Sequence, residues 1–372
     1  MLLSIGDQVK PGTYRFHSRF NRAVNFEHRG RLIAVVDEAI GPGPLNIVLR
    51  GLKLTQAGDR AGISPSILKR LQPSAQGWIA SPFPGDPTLG KRPRKAPNPE
   101  RVESHPRLAS PLRVSPNTVL FEGRRYPFTA RHRYASSLVC EIEDHRRFQR
   151  NLSALDDLLK EAAPPKSLAF LLDGKRRKNF RPGFERAFAA QITRGAQQLF
   201  HGRLLQGIRQ LKGCGLGLTP AGDDFIAGFL IGLHLLQELH GRDSQSTIEA
   251  VFRAARGNNI FSNTFLDLAR RGWLFGHMKD LLLSLITGSE NSVRRTARKL
   301  FGIGETSGVD LATGLFMTLQ AEAAENGQPG LPDLAAVSAR QSGQKRMTIA
   351  VTGTLSCLRK IPKIELAKNH CL

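Results

Sequence analysis

The stretch GLGLTPAGDDFIAGFLIGL, Gly215–Leu233, places three glycines, a Thr-Pro step and two adjacent aspartates ahead of an apolar run. A second stretch, GIGETSGVDLATGLFMTL, Gly302–Leu319, repeats it with one deletion. In that alignment Gly215 faces Gly302, Gly217 faces Gly304 and Thr219 faces Thr306. Gly222 then faces Gly308, Asp224 faces Asp310 and Gly228 faces Gly314. The repeat predicts a glycine-rich loop running into a helix, twice, about a pseudo-two-fold.

Each residue type in the loop has a physical use. Glycine permits positive φ and lets backbone amides approach a ligand. Thr219 before Pro220 reads as an N-cap followed by proline at the first helical position, where a missing N–H costs nothing. Ser307 and Asp310 have the spacing of a capping box. Both loops therefore lead to helix N-termini, whose free amides attract anions. Asp224, Gly228 and Gly232 share one helix face, as do Asp310, Gly314 and Thr318. The two helices are expected to pack through Gly228, Gly232 and Gly314. The first is apolar nearly all round, which predicts burial.

Aspartate at a helix start is favoured by the macrodipole alone, and glycine stripes serve packing. Both loops together, with carboxylates beside glycine-built amide cups, favour a ligand site. Its candidate catalytic residues are Asp223, Asp224 and Asp310. Its candidate binding residues are Gly215, Gly217, Thr219, Gly222, Gly304, Thr306, Ser307 and Gly308. The lysine of a phosphate loop is absent, and clustered carboxylates repel a bare anion. They suit an anion bridged by Mg²⁺ at Asp223 and Asp224, or a ligand that carries amide N–H groups beside a carboxylate.

Working outward, the predicted class is α+β. TYRFHSRFNRAVNFEHRGRLIAVVDE is rich in aromatic and β-branched residues with a turn at EHRGR; GPGPLNIVLRGL and NTVLFEGRRYPFTA add strands, the latter turning at Glu122-Gly123. Residues 1–140 are read as a mainly antiparallel β-domain. Within it, residues 81–116 are dense in proline and basic residues and are read as an exposed, flexible insertion. Residues 145–328 carry helical periodicity broken by short turns, from RRFQRNLSALDDLLKEAA to VDLATGLFMTLQAEAAENG. The tail, residues 329–372, is basic and weakly patterned, with one candidate strand at MTIAVTGTLSCL.

The chain of 372 residues carries a formal charge of +23. Such a balance permits nucleic acid, an anionic membrane or small acidic substrates as partners. The positive residues are spread along the chain, so nucleic acid is not the favoured partner. Cys140, Cys214, Cys357 and Cys371 form no metal or redox motif, and MLLSIGDQVK lacks a secretory pattern; both point to a reducing, cytoplasmic compartment. The apolar run Phe225–Leu236 falls short of the roughly 20 residues of a membrane span. Asn25 and Asn46 read as turn or ladder-edge residues and His234 as a hydrogen-bonded core histidine. Cys214 has no base beside it in sequence. DGKRRKNFR, Asp173–Arg181, reads as a solvated charged turn. Ser262 or Asn263 reads as the N-cap of the helix in FSNTFLDLARRG.

GLGLTPAGDD followed by GIGETSGVDLATGL resembles the AllH-type family, and FNRAVNF and GPGPLNIVL are similar to it as well. The resemblance covers about residues 10–325. It implies a subunit that works beside AllF-like and AllG-like partners in an oxamate carbamoyltransferase of anaerobic allantoin catabolism, exchanging carbamoyl between oxalurate and phosphate. Oxamate offers a carboxylate to the helix-end amides and an amide N–H to Asp223, Asp224 or Asp310; carbamoyl phosphate is the other ligand implied. The chain has Glu305 where the family usually has His and Ala221 where Ser is more usual, so no family role carries over to position 305. The alternative reading is a non-catalytic assembly or regulatory subunit that binds a small anion.

Overall fold

The computed structural model describes residues 1–52, 110–139, 143–240 and 243–325. The tail, its candidate strand and most of the insertion lie outside the described residues. The chain divides into two compact units between Ser136 and Ser137.

The first unit is a curled sheet. Its strands are β1 (Leu2–Gly6), β2 (Gly12–Phe20), β3 (Ala23–His28), β4 (Arg31–Asp37), β5 (Asn46–Leu49), β6 (Leu112–Val114), β7 (Thr118–Phe121), β8 (Arg124–Pro127) and β9 (Arg133–Tyr134). They lie in the order β8-β7-β6-β2-β3-β4-β5-β1-β9. The pairs β4–β5 and β1–β9 are parallel and the rest antiparallel. Alternation along β7 buries Val119 and Phe121, while β3 and β4 are buried on both faces, with Val24, Phe26, Ile33, Val35 and Val36 in the core. The ring of Phe26 meets Phe16 and Phe121 edge-on.

Both turns foreseen in the sequence are two-residue hairpins. Arg29 and Gly30 have φ of 51° and 74°, and Glu122 and Gly123 have 47° and 75°. Positive φ at both central positions matches the twist of the flanking strands. Gly123→Val, a β-branched residue forced into that region, is expected to cost about 1–2 kcal/mol, read as a lower urea midpoint at unchanged slope. Asn25 donates to Ser18 at 3.1 Å and Asn46 to the Gly41 carbonyl at 3.1 Å, the structural roles expected of them.

The segment 81–116 needs one correction. Its last residues form β6, between β2 and β7, with Leu112 and Val114 buried. Three residues between prolines are too few to show a period, so only pairing with two neighbours reveals this strand.

The second unit is helical. Its helices are α1 (His145–Ala162), α2 (Phe184–Phe200), α3 (Leu204–Leu211), α4 (Ala221–His240), α5 (Gln245–Ala255), α6 (Ile260–Arg270), α7 (Gly276–Thr287), α8 (Glu290–Phe301) and α9 (Ser307–Glu325). Two 3-10 turns, Leu168–Leu171 and Gly174–Asn179, follow α1. The charged turn Asp173–Arg181 is less solvated than its composition suggests. Arg176 donates to the carbonyls of Lys160 at 2.8 Å and Pro164 at 3.0 Å, and so caps the end of α1. Arg177 stacks on Phe170 and bonds Thr193. Buried Asn151 on α1 donates to the carbonyls of Ser284, Leu285 and Gly288, closing the end of α7. Helices α4 and α9 run through the middle of one continuous core and are its most buried members.

Candidate functional site

The α4–α9 contact is made by missing side chains. A Cβ on Gly228 would sit 2.0 Å from the Leu311 carbonyl oxygen, and one on Gly314 would sit 2.1 Å from that of Phe225. Gly232 faces Thr318, whose Cβ is 2.7 Å from the same ideal position. The partners advance together along both helices, so α4 and α9 are parallel and their N-termini lie side by side. Gly222 and Gly308 abut the carbonyl oxygens of Leu211 and Leu300 at 1.9 and 1.8 Å on the same measure. These reciprocal contacts are the pseudo-two-fold expected from the repeat.

They also correct its alignment. Amides of Asp223 and Asp224 bond the Pro220 carbonyl at 2.9 and 3.1 Å, and those of Val309 and Asp310 bond the Thr306 carbonyl at 2.9 Å each. Pro220 and Thr306 are therefore the equivalent N-caps. An ideal Cβ on Gly215 meets Ala221 and one on Gly304 meets Ser307, so Gly215 matches Gly304 and the first loop is three residues longer. Gly302 has φ of −74° and ends α8, whereas Gly215, Gly217 and Gly304 are left-handed at 121°, 109° and 62°. Glycines recur every second residue in the first loop, and this lets an alignment by letters slide.

The caps differ from expectation for the same reason. Thr219 lies one residue outside the helix, and its hydroxyl donates to Asp224 Oδ2 at 3.1 Å. Ser307 is the first helical residue, and its Oγ is 3.5 Å from Thr219 Oγ1, which brings the two loops together. Asp310 does not close a capping box: its Oδ1 accepts the Leu168 N–H at 2.6 Å, at the start of a 3-10 turn. Its Oδ2 is buried without a partner. Asp223 accepts the Gly213 N–H at 2.7 Å.

All three carboxyls are buried: Asp223 is 5 %, Asp224 1 % and Asp310 0 % exposed. Burial pushes Asp223 above its ordinary value, against the pull of the Gly213 amide. Burial raises Asp224 well above its ordinary value, and the nearby Asp310 and Asp223 charges raise it further, against hydroxyls of Ser307 and Thr219 that favour ionisation. Burial pushes Asp310 up to about 7. Two parallel helix N-termini carry roughly +0.5 charge each and favour anions. Desolvation outweighs them, so the Asp224 carboxyl holds its proton to higher pH than an exposed aspartate does. The clustered carboxyls therefore repel an anion less than three ionised groups would.

A third helix start joins the loops. The N-cap of α6 is Asn259, not Ser262 or Asn263; its Oδ1 accepts from the amides of Phe261 and Ser262 at 2.9 and 3.2 Å. Asn259 Nδ2 donates to the Leu218 carbonyl at 2.7 Å, and Asn263 bonds both the amide and the carbonyl of Gly257. An Asn ahead of an apolar run was the available signal. Its link to residue 218 was not readable from spacing. The tip of the longer loop leaves Leu216 and Leu218 exposed.

Other candidates separate from this site. His234 Nε2 bonds the Arg270 carbonyl at 2.7 Å. It lines a cleft of about 210 Å³ with Ile231, Glu238 and Gly272, on the C-terminal half of α4 and away from the carboxyls. Cys214 is buried, takes a bond from Gln191 and gives one to the Gln210 carbonyl. Burial and Asp223 push its thiol up to about 12, which makes it a poor nucleophile. No group of three or more His, Cys, Asp or Glu placed to hold a metal is present among the described residues. Gly213 and Thr219 already donate to Asp223 Oδ1 and Asp224 Oδ2, so the donor set does not fit the Mg²⁺ considered for Asp223 and Asp224. Among the described residues no helix is long and apolar enough to cross a membrane.

Residues 211–319 match the model of the AllH family, described as oxamate carbamoyltransferase subunit AllH. The match runs from the end of α3 to α9 and so spans both loops and all three carboxyls. It bears out the resemblance over this stretch. Neither a curated protein nor a solved structure matches the chain.

Proposed function

We propose that the paired loops bind the small carboxylate/amide substrate of an oxamate carbamoyltransferase, within a complex that includes AllF-like and AllG-like subunits in the cytoplasm. The observation that supports this most is the meeting of two glycine loops around three buried carboxyls, all with raised proton affinity and Asp310 at about 7. A protonated carboxyl offers one O–H donor beside one carbonyl acceptor. That is the complement of a primary amide, which offers N–H beside C=O, and two hydrogen bonds form at once. Asp224 and Asp310 in that state read the amide or carbamoyl end of a ligand, and loop amides receive its carboxylate or phosphate. In the reaction a phosphate oxygen bonds the carbamoyl carbon, the bond from that carbon to the oxamate nitrogen breaks, and the phosphate proton ends on the departing nitrogen. A neutral acid beside that nitrogen is the group that relays such a proton.

The test is calorimetric titration of the chain with oxamate and with carbamoyl phosphate between pH 6 and 9. Binding is expected to weaken about tenfold per pH unit above roughly 7, as Asp310 loses its proton. Heatless titrations throughout would overturn the reading. A second reading, an assembly subunit, is favoured by the bonds from Gly213 to Asp223 and from Leu168 to Asp310, since both carboxyls already hold backbone. It predicts that Asp223→Asn, which keeps an acceptor for Gly213, leaves the assembled transferase fully active. The ligand reading predicts a loss of at least tenfold.

A further inference from the structure

We infer that Ser262, in the first turn of α6, is a third-wall binding residue of this site, whose hydroxyl donates to an oxygen of the bound carboxylate or phosphate. The inference rests on the proposed ligand site and adds to it an element outside the repeat. One bond ties the start of α6 to the longer loop, from Asn259 to the Leu218 carbonyl, while Asn263 holds Gly257 and the Lys212 ammonium bonds the Arg256 carbonyl just before α6. Inside this fastening Ser262 is 3 % exposed, and its Oγ has no hydrogen-bond partner. Its hydroxyl makes a long contact to the Asp223 carboxyl, outside hydrogen-bond geometry, which favours that carboxyl's ionised form.

A buried hydroxyl without a partner is costly, and a serine in the first turn of a helix usually turns its oxygen to a nearby carbonyl or a free amide. Here Asn259 already holds the free amides of that turn, so Ser262 is not needed as a cap. A second orphan, Asp310 Oδ2, is buried among the same carboxyls. Two unsatisfied polar atoms beside helix N-termini are what a small polar guest would complete. The hydroxyl supplies a donor that keeps its proton at any working pH, in contrast to the titrating carboxyls, so it suits the anionic end of the ligand.

Oxamate and inorganic phosphate are the probes, titrated into wild type and into Ser262→Ala and Ser262→Thr, with melting temperatures of the free proteins alongside. The expected result is about tenfold weaker binding in Ser262→Ala, recovered by at least half in Ser262→Thr, while the free Ser262→Ala protein melts no lower than wild type. Equal affinity in wild type and Ser262→Ala overturns this inference and leaves the ligand site standing. A drop in melting temperature with unchanged affinity overturns it as well, because the hydroxyl is then structural. Wild-type protein that binds neither probe overturns both.

Discussion

Gly314→Ala is expected to cost the helical unit about 3 kcal/mol, the upper end of ordinary overpacking. The added methyl carbon would stand 2.1 Å from the Phe225 carbonyl oxygen, 2.9 Å from its carbon and 3.1 Å from its Cα. All three atoms are backbone of a buried helix, so no rotamer change makes room. The helices must move apart, and the reciprocal contact of Gly228 with Leu311 opens with them. A unit of this size then melts roughly 6–12 °C lower. Gly302→Ala is the control: its nearest obstacle is 3.4 Å away and its φ is −74°, so it should lie within about 0.5 kcal/mol of wild type. Equal melting of the two variants would show that α4 and α9 are not in contact through glycine.

Asp310→Asn is expected to melt higher than wild type at pH 8 and alongside it near pH 4. Burial holds the Asp310 carboxyl at about 7 in the fold, against an ordinary 3.8. Between those values the folded chain keeps a proton that the unfolded chain has released. Stability therefore falls as pH rises from about 4 to about 7 and stays lower beyond, a loss of a few kcal/mol for a fully buried group. Asparagine keeps Oδ1 for the Leu168 amide and removes the titration. The difference in unfolding free energy between variant and wild type, followed by urea titration from pH 4 to 8, should grow with pH and level off above 7. A difference that is flat with pH would mean that Asp310 is ionised throughout. The same variant should lose the pH dependence of oxamate binding near 7, so the buried acid lowers stability in return for recognition.

Local chemistry made much of this fold readable. Positive-φ pairs such as Arg29-Gly30 and Glu122-Gly123 mark hairpins because few other turns tolerate them. Helical spacing in the chain after Asp144 marks α1 and its successors, since each buries one stripe. The repeat was legible as a pair of like segments, and Gly228 and Gly314 as a contact, because small residues four apart from an aspartate share its face. Its register was not legible, since Gly213, Gly215, Gly217, Gly302 and Gly304 offer several equal matches. Only the bonds from Asp224 to Pro220 and from Asp310 to Thr306 distinguish them. Strand β6 is similar: three residues acquire meaning only from β2 and β7 on either side.

By itself, then, the sequence determined an α+β chain with two glycine-led helices carrying Asp223, Asp224 and Asp310 in their first turns, because periodicity and capping act over a few residues. The tertiary structure alone decided that these carboxyls are buried, that burial raises their proton affinity with Asp310 at about 7, and that Leu168 and Ser262 stand beside them. Burial and charge proximity are sums over every neighbour in space, and residues 168, 223, 262 and 310 become neighbours only when the helices pack.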